Sequence, residues 1–218
     1  VSVPGETVNR LCASGLSASI NGARQIMTGD ADLIISGGVE NMTRGPWVIS
    51  KTSTPYGRDA QMYDSSFGWR FINPKMQEIY GTDSMGETAE NLTQLKRIPR
   101  ADQDAIAYRT QMKAAAAAKR GRFTKEIISV EIQAKKTTVL FEHDEFMKPE
   151  TTPEILAKLK PAFRKDGSVT AGNSSGLNDG AVAILLASES GMKKFGLKPL
   201  AKIISSAAVG VEPRIMGI

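Results

Sequence analysis

Glu6-Thr7-Val8-Asn9-Arg10-Leu11-Cys12-Ala13-Ser14-Gly15 is the stretch on which the fold turns. Its first six residues read as a short strand that passes directly into a helix predicted over 12–28. Leu16, Ile20, Ala23 and Met27 are spaced four, three and four apart, which sets them on one helical stripe. Gly29-Asp30 is a stop signal. Asp32-Leu33-Ile34-Ile35-Ser36 then reads as a buried strand running into Gly37-Gly38. Strand, helix and strand with short joints predict a right-handed crossover, and hence a parallel sheet of an α/β fold.

Outward from this unit the texture changes. Residues 43–173 hold both tryptophans, all four tyrosines and most of the prolines. Long irregular stretches there surround helices predicted over 86–95 and 100–121, the second opening on Asp102-Gln103-Asp104 as an acidic first turn. Two short strands are predicted within 126–139. Such irregular stretches are uncommon inside a compact sheet, so the region reads as an insertion. The first texture returns with a strand over 180–188, a short helix over 189–195 and a strand-like run over 201–211. The expected division is 1–42, an inserted α+β region 43–173, and 174–218 returning to the first core. About four core strands make an unfinished sheet, and the chain reads as part of a longer protein.

Composition narrows the chemistry. The chain has 218 residues, 41% of them hydrophobic and 23% charged, with a net charge of +5. That describes an ordered globular protein. No apolar run reaches membrane-spanning length and no signal peptide opens the sequence, so a soluble, cytoplasmic protein is expected. One cysteine excludes an internal disulfide, and one histidine leaves no metal site built on His and Cys ligands. The basic balance suits an anionic small ligand as well as nucleic acid. Lys193, Lys194, Lys198 and Lys202 have no aromatic interleaving and read as a solvated face, so no nucleic-acid partner is expected.

Two segments carry candidate chemistry. A cysteine where a strand turns into a helix feels unpaired amides and the positive end of the helix dipole, and both favour thiolate. The small residues after Cys12 leave room for a carbonyl at the sulfur, and the Cys12 amide is placed to meet a developing oxyanion. The other reading of Cys12 is a small buried hydrophobe. The second segment is Gly172-Asn173-Ser174-Ser175-Gly176-Leu177-Asn178-Asp179-Gly180. It precedes a strand and lacks the Gly-Lys-Ser/Thr ending of a P-loop, which argues against nucleoside triphosphates. It reads either as a ligand loop or as a tight turn. Asn-x-Ser/Thr triplets at Asn41, Asn91 and Asn173 are chance matches, and Glu142-His143-Asp144-Glu145 is a solvated turn.

Val8-Asn9-Arg10-Leu11-Cys12-Ala13-Ser14-Gly15-Leu16 resembles the thiolase family, in which this stretch carries the acyl-accepting cysteine. The resemblance continues through Gly37-Gly38-Val39-Glu40-Asn41-Met42-Thr43 and Met85-Gly86-Glu87-Thr88-Ala89-Glu90-Asn91. It also includes Lys158-Leu159-Lys160-Pro161-Ala162-Phe163, the run from Val169 through Ala181, and Val209-Gly210-Val211-Glu212-Pro213 to Gly217. It covers essentially the whole chain. Ser84 stands where many acetoacetyl-CoA thiolases have histidine. Phe67 to Pro74 and the Ser84-Met85-x-Glu87-Thr88 pattern look like 3-oxoadipyl-CoA thiolases, although Gly86 replaces a proline common in that subgroup.

The resemblance implies a layered αβαβα fold, present in part, with a loop domain inserted at 43–173 that holds coenzyme A. It implies acyl transfer through Cys12: thiolytic cleavage of a 3-oxoacyl-CoA, or condensation to acetoacetyl-CoA. Coenzyme A serves as substrate, and no metal or other cofactor is expected. Ala171 and Ser175 would contact the pantetheine arm and Phe163 and Met85 would wall its tunnel. Lys148 would stand near the adenine and phosphate end, keeping the charge of an arginine without its planar fork. The family's histidine in a Gly-His-Pro segment, its Asn-Glu-x-x-Ala segment and its second cysteine belong to a C-terminal half. The expected partners are acyl-CoA, coenzyme A, that missing half and, for the parent, further copies of itself. The chain alone is expected to be inactive; the alternative is a non-catalytic coenzyme A-binding fragment or half-molecule.

Overall fold

The computed structural model describes residues 2–135 and 137–218. The chain divides into two compact units, Val1–Gly68 with Leu177–Gly210 and Trp69–Gly176 with Val211–Ile218.

The first unit is built on helix α1 (Ser14–Thr28) and the ladder of β1 (Leu33–Glu40) with β6 (Gly180–Ala187). The helix ends as its sequence predicts: Gly29 adopts a left-handed conformation, and the amides of Gly29 and Asp30 donate back to Ile26 and Gln25. The strand expected over 6–11 is absent, with only an isolated bridge at Arg10 and Cys12. The ladder corrects the parallel expectation. β1 and β6 run antiparallel, from Leu33 opposite Ala187 to Glu40 opposite Gly180. Strands so far apart in sequence need no crossover helix between adjacent ends, so nothing local dictates their direction.

Directly opposed residues share a face. Ile34 with Leu186 and Ser36 with Ile184 face α1, where a Cβ at Gly22 would stand 2.9 Å from a Leu186 methyl and 3.2 Å from Ile34. The Ser19 and Ser36 hydroxyls meet at 3.0 Å. The helix therefore seats itself through small residues, Ser19, Gly22 and Ala23. Leu16 and Met27, expected on the buried stripe, are 68% and 67% exposed. The close seat leaves the stripe's two ends beyond the reach of the two-stranded ladder. The opposite ladder face, with Ile35, Leu185 and Val39, is exposed and apolar. A Cβ at Gly37 would lie 2.2 Å from the Val182 carbonyl oxygen, so only glycine fits that ladder position. A small hairpin, β2 (Trp47–Ile49) with β3 (Met62–Asp64), belongs to this unit, as does α6 (Glu189–Phe195). Residues 201–211 form no regular structure.

The second unit contains α2 (Pro74–Tyr80), α3 (Met85–Lys96), α4 (Arg100–Lys119), the hairpin of β4 (Val130–Gln133) with β5 (Thr138–Phe141), and α5 (Pro153–Ala157). Three of these helices start with side-chain caps: Asn73, Ser84 and Thr152 each accept a backbone N–H from the first turn. Leu156 and Val169 are its buried apolar residues. Thr88, Glu90, Asp104 and Thr170, all polar, are buried with them. A packed polar interior of this kind holds only if each group is bonded, and among the described residues no buried side-chain nitrogen or oxygen lacks a partner.

Candidate functional site: an exposed cysteine and a pinned glycine-rich loop

Cys12 is exposed, at the tip of a turn two residues ahead of α1. Leu11 before it has φ +48°, a left-handed conformation that costs a β-carbon-bearing residue about 1 kcal/mol or more. Local bonds hold it there. The Leu11 amide donates to Asn9 Oδ1 at 2.9 Å, and its carbonyl accepts from the Ser14 amide at 2.9 Å and the Ser14 hydroxyl at 2.6 Å. Ser14 Oγ also accepts from the Arg10 amide at 2.8 Å. Asn9, Arg10, Leu11 and Ser14 thus form a rigid local clasp that lifts Cys12 to the surface. The buried-hydrophobe reading of Cys12 is set aside by its exposure.

Elsewhere in the first unit two of the quoted motifs meet. The Thr43 amide and hydroxyl donate to the two Asp179 carboxylate oxygens at 3.0 and 2.8 Å. The amide bond first, then the hydroxyl, hold the Asp179 carboxyl below its ordinary pKa. This clamp fixes the end of the glycine-rich segment beside the end of β1.

The other named positions, Met85, Lys148, Phe163, Ala171 and Ser175, lie in the second unit. Met85 is the first residue of α3, and the Phe163 ring lies directly on Gly86. A Cβ at Gly86 would come within 2.1 Å of that ring. Glycine is therefore what allows Phe163 to reach the start of α3. Phe163 is also tied to the loop, because the Ala162 amide donates to the Val169 carbonyl at 2.9 Å.

The loop itself is held from beneath by two helices. Glu90 of α3, 2% exposed, accepts from the amides of Ser168 and Val169 at 2.7 Å each and from the Ser168 hydroxyl at 3.1 Å. Asp104 of α4 accepts from Arg100 Nε at 2.7 Å and from Asn173 Nδ2 at 3.0 Å. Asn173 Oδ1 takes the Thr170 amide at 2.8 Å. Thr170 is wholly buried, and its carbonyl accepts the Ser174 hydroxyl at 2.6 Å. Arg100 further donates to the carbonyls of Leu156 and Leu159, the residues that a Cβ at Gly172 would strike at 2.6 and 2.5 Å. Ala171 and Ser175 are left exposed at either end of this cassette.

What the loop can bind follows from which groups are already occupied. The Ser168 and Val169 amides, which could have cradled an anion, are filled by Glu90. Ala171 and Ser175, by contrast, are exposed. The cation stands elsewhere: Lys148 has an exposed side chain, its amide donating to Gln111 Oε1 at 2.9 Å. Two residues before it, the Phe146 ring lies against Gly176, whose Cβ would come within 2.3 Å of it. A shallow hollow of about 220 Å³ opens there between Thr110, Gln111 and Ala114 of α4 and Asp144, Phe146 and Met147.

Several residues that build this site carried other readings in the sequence. Asp104 is drawn inward as a loop anchor, while Asp102 alone remains an exposed first-turn acid. Asn91 and Asn173 are hubs of hydrogen bonding. Asn91 donates to Asp83 Oδ2 at 2.7 Å and, with Glu87, accepts from Arg164. Arg214 adds a bond to Asp83 at 3.1 Å, and Asn91 first, then Arg214, hold the Asp83 carboxyl below its ordinary pKa. The signal available in sequence was Glu90 and Asn91 following Met85 on one helix; burial is what turns them into anchors. His143 is 87% exposed beside Glu142. Among the described residues no three His, Cys, Asp or Glu side chains sit together in a way that could hold a metal ion, and no helix is long and apolar enough to cross a membrane.

Comparison with known proteins shows the family. The β-ketoadipyl-CoA thiolase of Pseudomonas putida is 51% identical over 217 residues, covering 100% of this chain and 54% of that protein. The 3-oxoadipyl-CoA/3-oxo-5,6-dehydrosuberyl-CoA thiolase of Escherichia coli K12 is 50% identical with the same coverage. Human mitochondrial 3-ketoacyl-CoA thiolase superposes with a TM-score of 0.84 at 37% identity, over 98% of this chain and 53% of the human one. The chain thus spans about half the length of these relatives, and its partial layered α/β fold is theirs. The family model for the thiolase N-terminal domain matches residues 1–190, and the chain belongs to the thiolase family.

Proposed function

We propose that this chain carries the acyl-accepting and coenzyme A-binding parts of a thiolase acting on a 3-oxoacyl-CoA whose acyl chain ends in a carboxylate. The observation that carries the reading is Cys12, exposed on a strained turn at the start of α1, within a chain about half identical to β-ketoadipyl-CoA thiolases. In this reading the Cys12 thiolate attacks the 3-oxo carbon. The bond between that carbon and C2 breaks, acetyl-CoA departs once its C2 carbanion is protonated, and the acyl group remains on sulfur. Free coenzyme A then takes the acyl group and the thiol is restored.

Ala171 and Ser175 line the path of the pantetheine arm, Phe163 and Met85 form its apolar wall, and Lys148 supplies charge for the phosphates. A solved relative, the human mitochondrial 3-ketoacyl-CoA thiolase in complex with CoA, supports this assignment with a TM-score of 0.81 over 97% of the chain. Residues 43–173 are then the inserted coenzyme A-binding region, flanked by 1–42 and 174–218 of the N-terminal core. Cys12 is the chain's single cysteine and His143 its single histidine. A second thiol for the carbanion's proton must therefore come from outside these 218 residues. Turnover accordingly belongs to the full-length protein, as a homo-oligomer in the cytoplasm, and the isolated chain only binds. The exposed apolar ladder face with Ile35, Val39 and Leu185 supports further covering by protein.

The test is thiolysis by the full-length protein, followed as loss of 3-oxoacyl-CoA. Cys12→Ala is expected to abolish turnover and leave coenzyme A binding intact. Turnover that survives Cys12→Ala would overturn the assignment.

A further inference from the structure

The loop of residues 168–176 is braced from within, by bonds such as the Thr170 amide to Asn173 Oδ1 and the Ser174 hydroxyl to the Thr170 carbonyl, and also from outside. Its outward residues, Ala171 and Ser175, are exposed, while the backbone that carries them hangs on a carboxylate from another element. Glu90 Oε1 accepts two consecutive amides, Ser168 and Val169, and Oε2 accepts the Ser168 hydroxyl, which in turn accepts from Gln103 Nε2 at 2.9 Å. Gly167 is needed for this approach, since a Cβ there would stand 2.2 Å from Glu90 Oε1. The same helix carries Met85 and Gly86 one turn earlier, against which Phe163 packs. One helix therefore holds both Phe163 and the backbone of residues 168–169.

We infer that Glu90 is the positioning residue of the coenzyme A site, an internal anion that fills the amide nest of residues 168–169 and so sets where Ala171 and Ser175 meet the ligand. The inference rests on the reading of this loop as the pantetheine contact. Glu90 does not touch the ligand and takes no part in bond making. Its removal would leave the buried Val169 amide and the half-buried Ser168 amide and hydroxyl without their acceptor, and a buried donor left unbonded is costly enough to make the loop rearrange. A small displacement of a binding surface weakens uniform binding and leaves the chemical step alone.

The experiment uses the full-length protein with coenzyme A as the titrant. Glu90→Ala is expected to raise KM and calorimetric Kd for coenzyme A about tenfold while kcat stays within about twofold. Glu90→Gln, which keeps one acceptor oxygen between the two amides, is expected to recover most of the affinity. Glu90→Asp keeps the charge but withdraws the carboxylate by one methylene, and it supplies the same test should Glu90→Ala fail to fold; its KM is expected to rise as well. Hydrogen exchange at the Ser168 and Val169 amides is expected to quicken in step with the loss of affinity. Affinity unchanged in folded Glu90→Ala or Glu90→Asp, despite faster exchange at those amides, would overturn the inference. A fall in kcat at constant KM would overturn it too. Wild-type protein that binds no coenzyme A would overturn the reading of the site itself, and the inference with it.

Discussion

Gly172→Ala is the sharpest structural perturbation the loop offers. The added methyl would stand 2.5 Å from Leu159 Cδ1 and 2.6 Å from Leu156 Cδ2, so each neighbour must retreat by about 1 Å to reach ordinary contact. Neither is free to do so. Leu156 is buried, and the carbonyls of both leucines are gripped by Arg100 Nη2 at 2.7 and 3.1 Å. Overpacking of a closed site costs about 1–3 kcal/mol, and the smaller entropy of an alanine-containing unfolded chain returns about 0.4–1 kcal/mol. The net loss is about 1–2 kcal/mol, equivalent to a fall in Tm of about 2–8 °C for a chain of this size. Gly180→Ala is the control, because nothing lies within 4 Å of its Cβ. Thermal unfolding followed by far-UV circular dichroism reads both variants. A Gly172→Ala melt that coincides with wild type would refute the packing described around Leu156, and with it the pinned loop.

Asn173→Asp is expected to destabilise more than Asn173→Ala in urea titrations. It places a second carboxylate 3.0 Å from Asp104 and removes the donor to the Ser168 carbonyl, a loss of about 2 kcal/mol or more. Arg164→Lys keeps the charge but loses the fork that bonds Glu87 through two nitrogens and Asn91 through one, and is expected to cost about 1 kcal/mol by the same titration. Asp179 has its pKa lowered in the folded state, so its stabilisation is present above the unfolded value of about 3.9 and is lost as pH falls through the folded one. Asp179→Asn is therefore expected to flatten the acid limb of the unfolding curve below about pH 4, and an unchanged acid limb would show that the Thr43 clamp contributes nothing.

Where local pattern decides structure, it was readable. The glycine that stops the helix after Thr28 and the apolar run from Gly180 to Ala187 both marked their elements in the sequence. The failures are tertiary. The direction of β1 against β6 depends on a connection of more than a hundred residues, and no periodicity encodes it. Leu16 and Met27 look like core because hydrophobicity marks what is to be covered, not what covers it within this chain. Residues 201–211 carry a strand's composition but find no partner among the described residues, and a strand exists only as a pair. For the site, the helix start alone left Cys12 open between a nucleophile and a small buried hydrophobe, and the resemblance of residues 8–16 singled it out. The anchors were not legible: Glu90, Asp104 and Asn173 are ordinary surface residue types, and only their burial against one loop reveals their role.

The central claim is that Cys12 is the acyl acceptor. The direct measurement is peptide mapping by mass spectrometry of the full-length protein quenched during turnover with a 3-oxoacyl-CoA. The account predicts an acyl adduct on the peptide containing Arg10, Leu11 and Cys12, lost on addition of coenzyme A and absent in Cys12→Ala. An acyl group found on any other residue, with Cys12 unmodified, would contradict it.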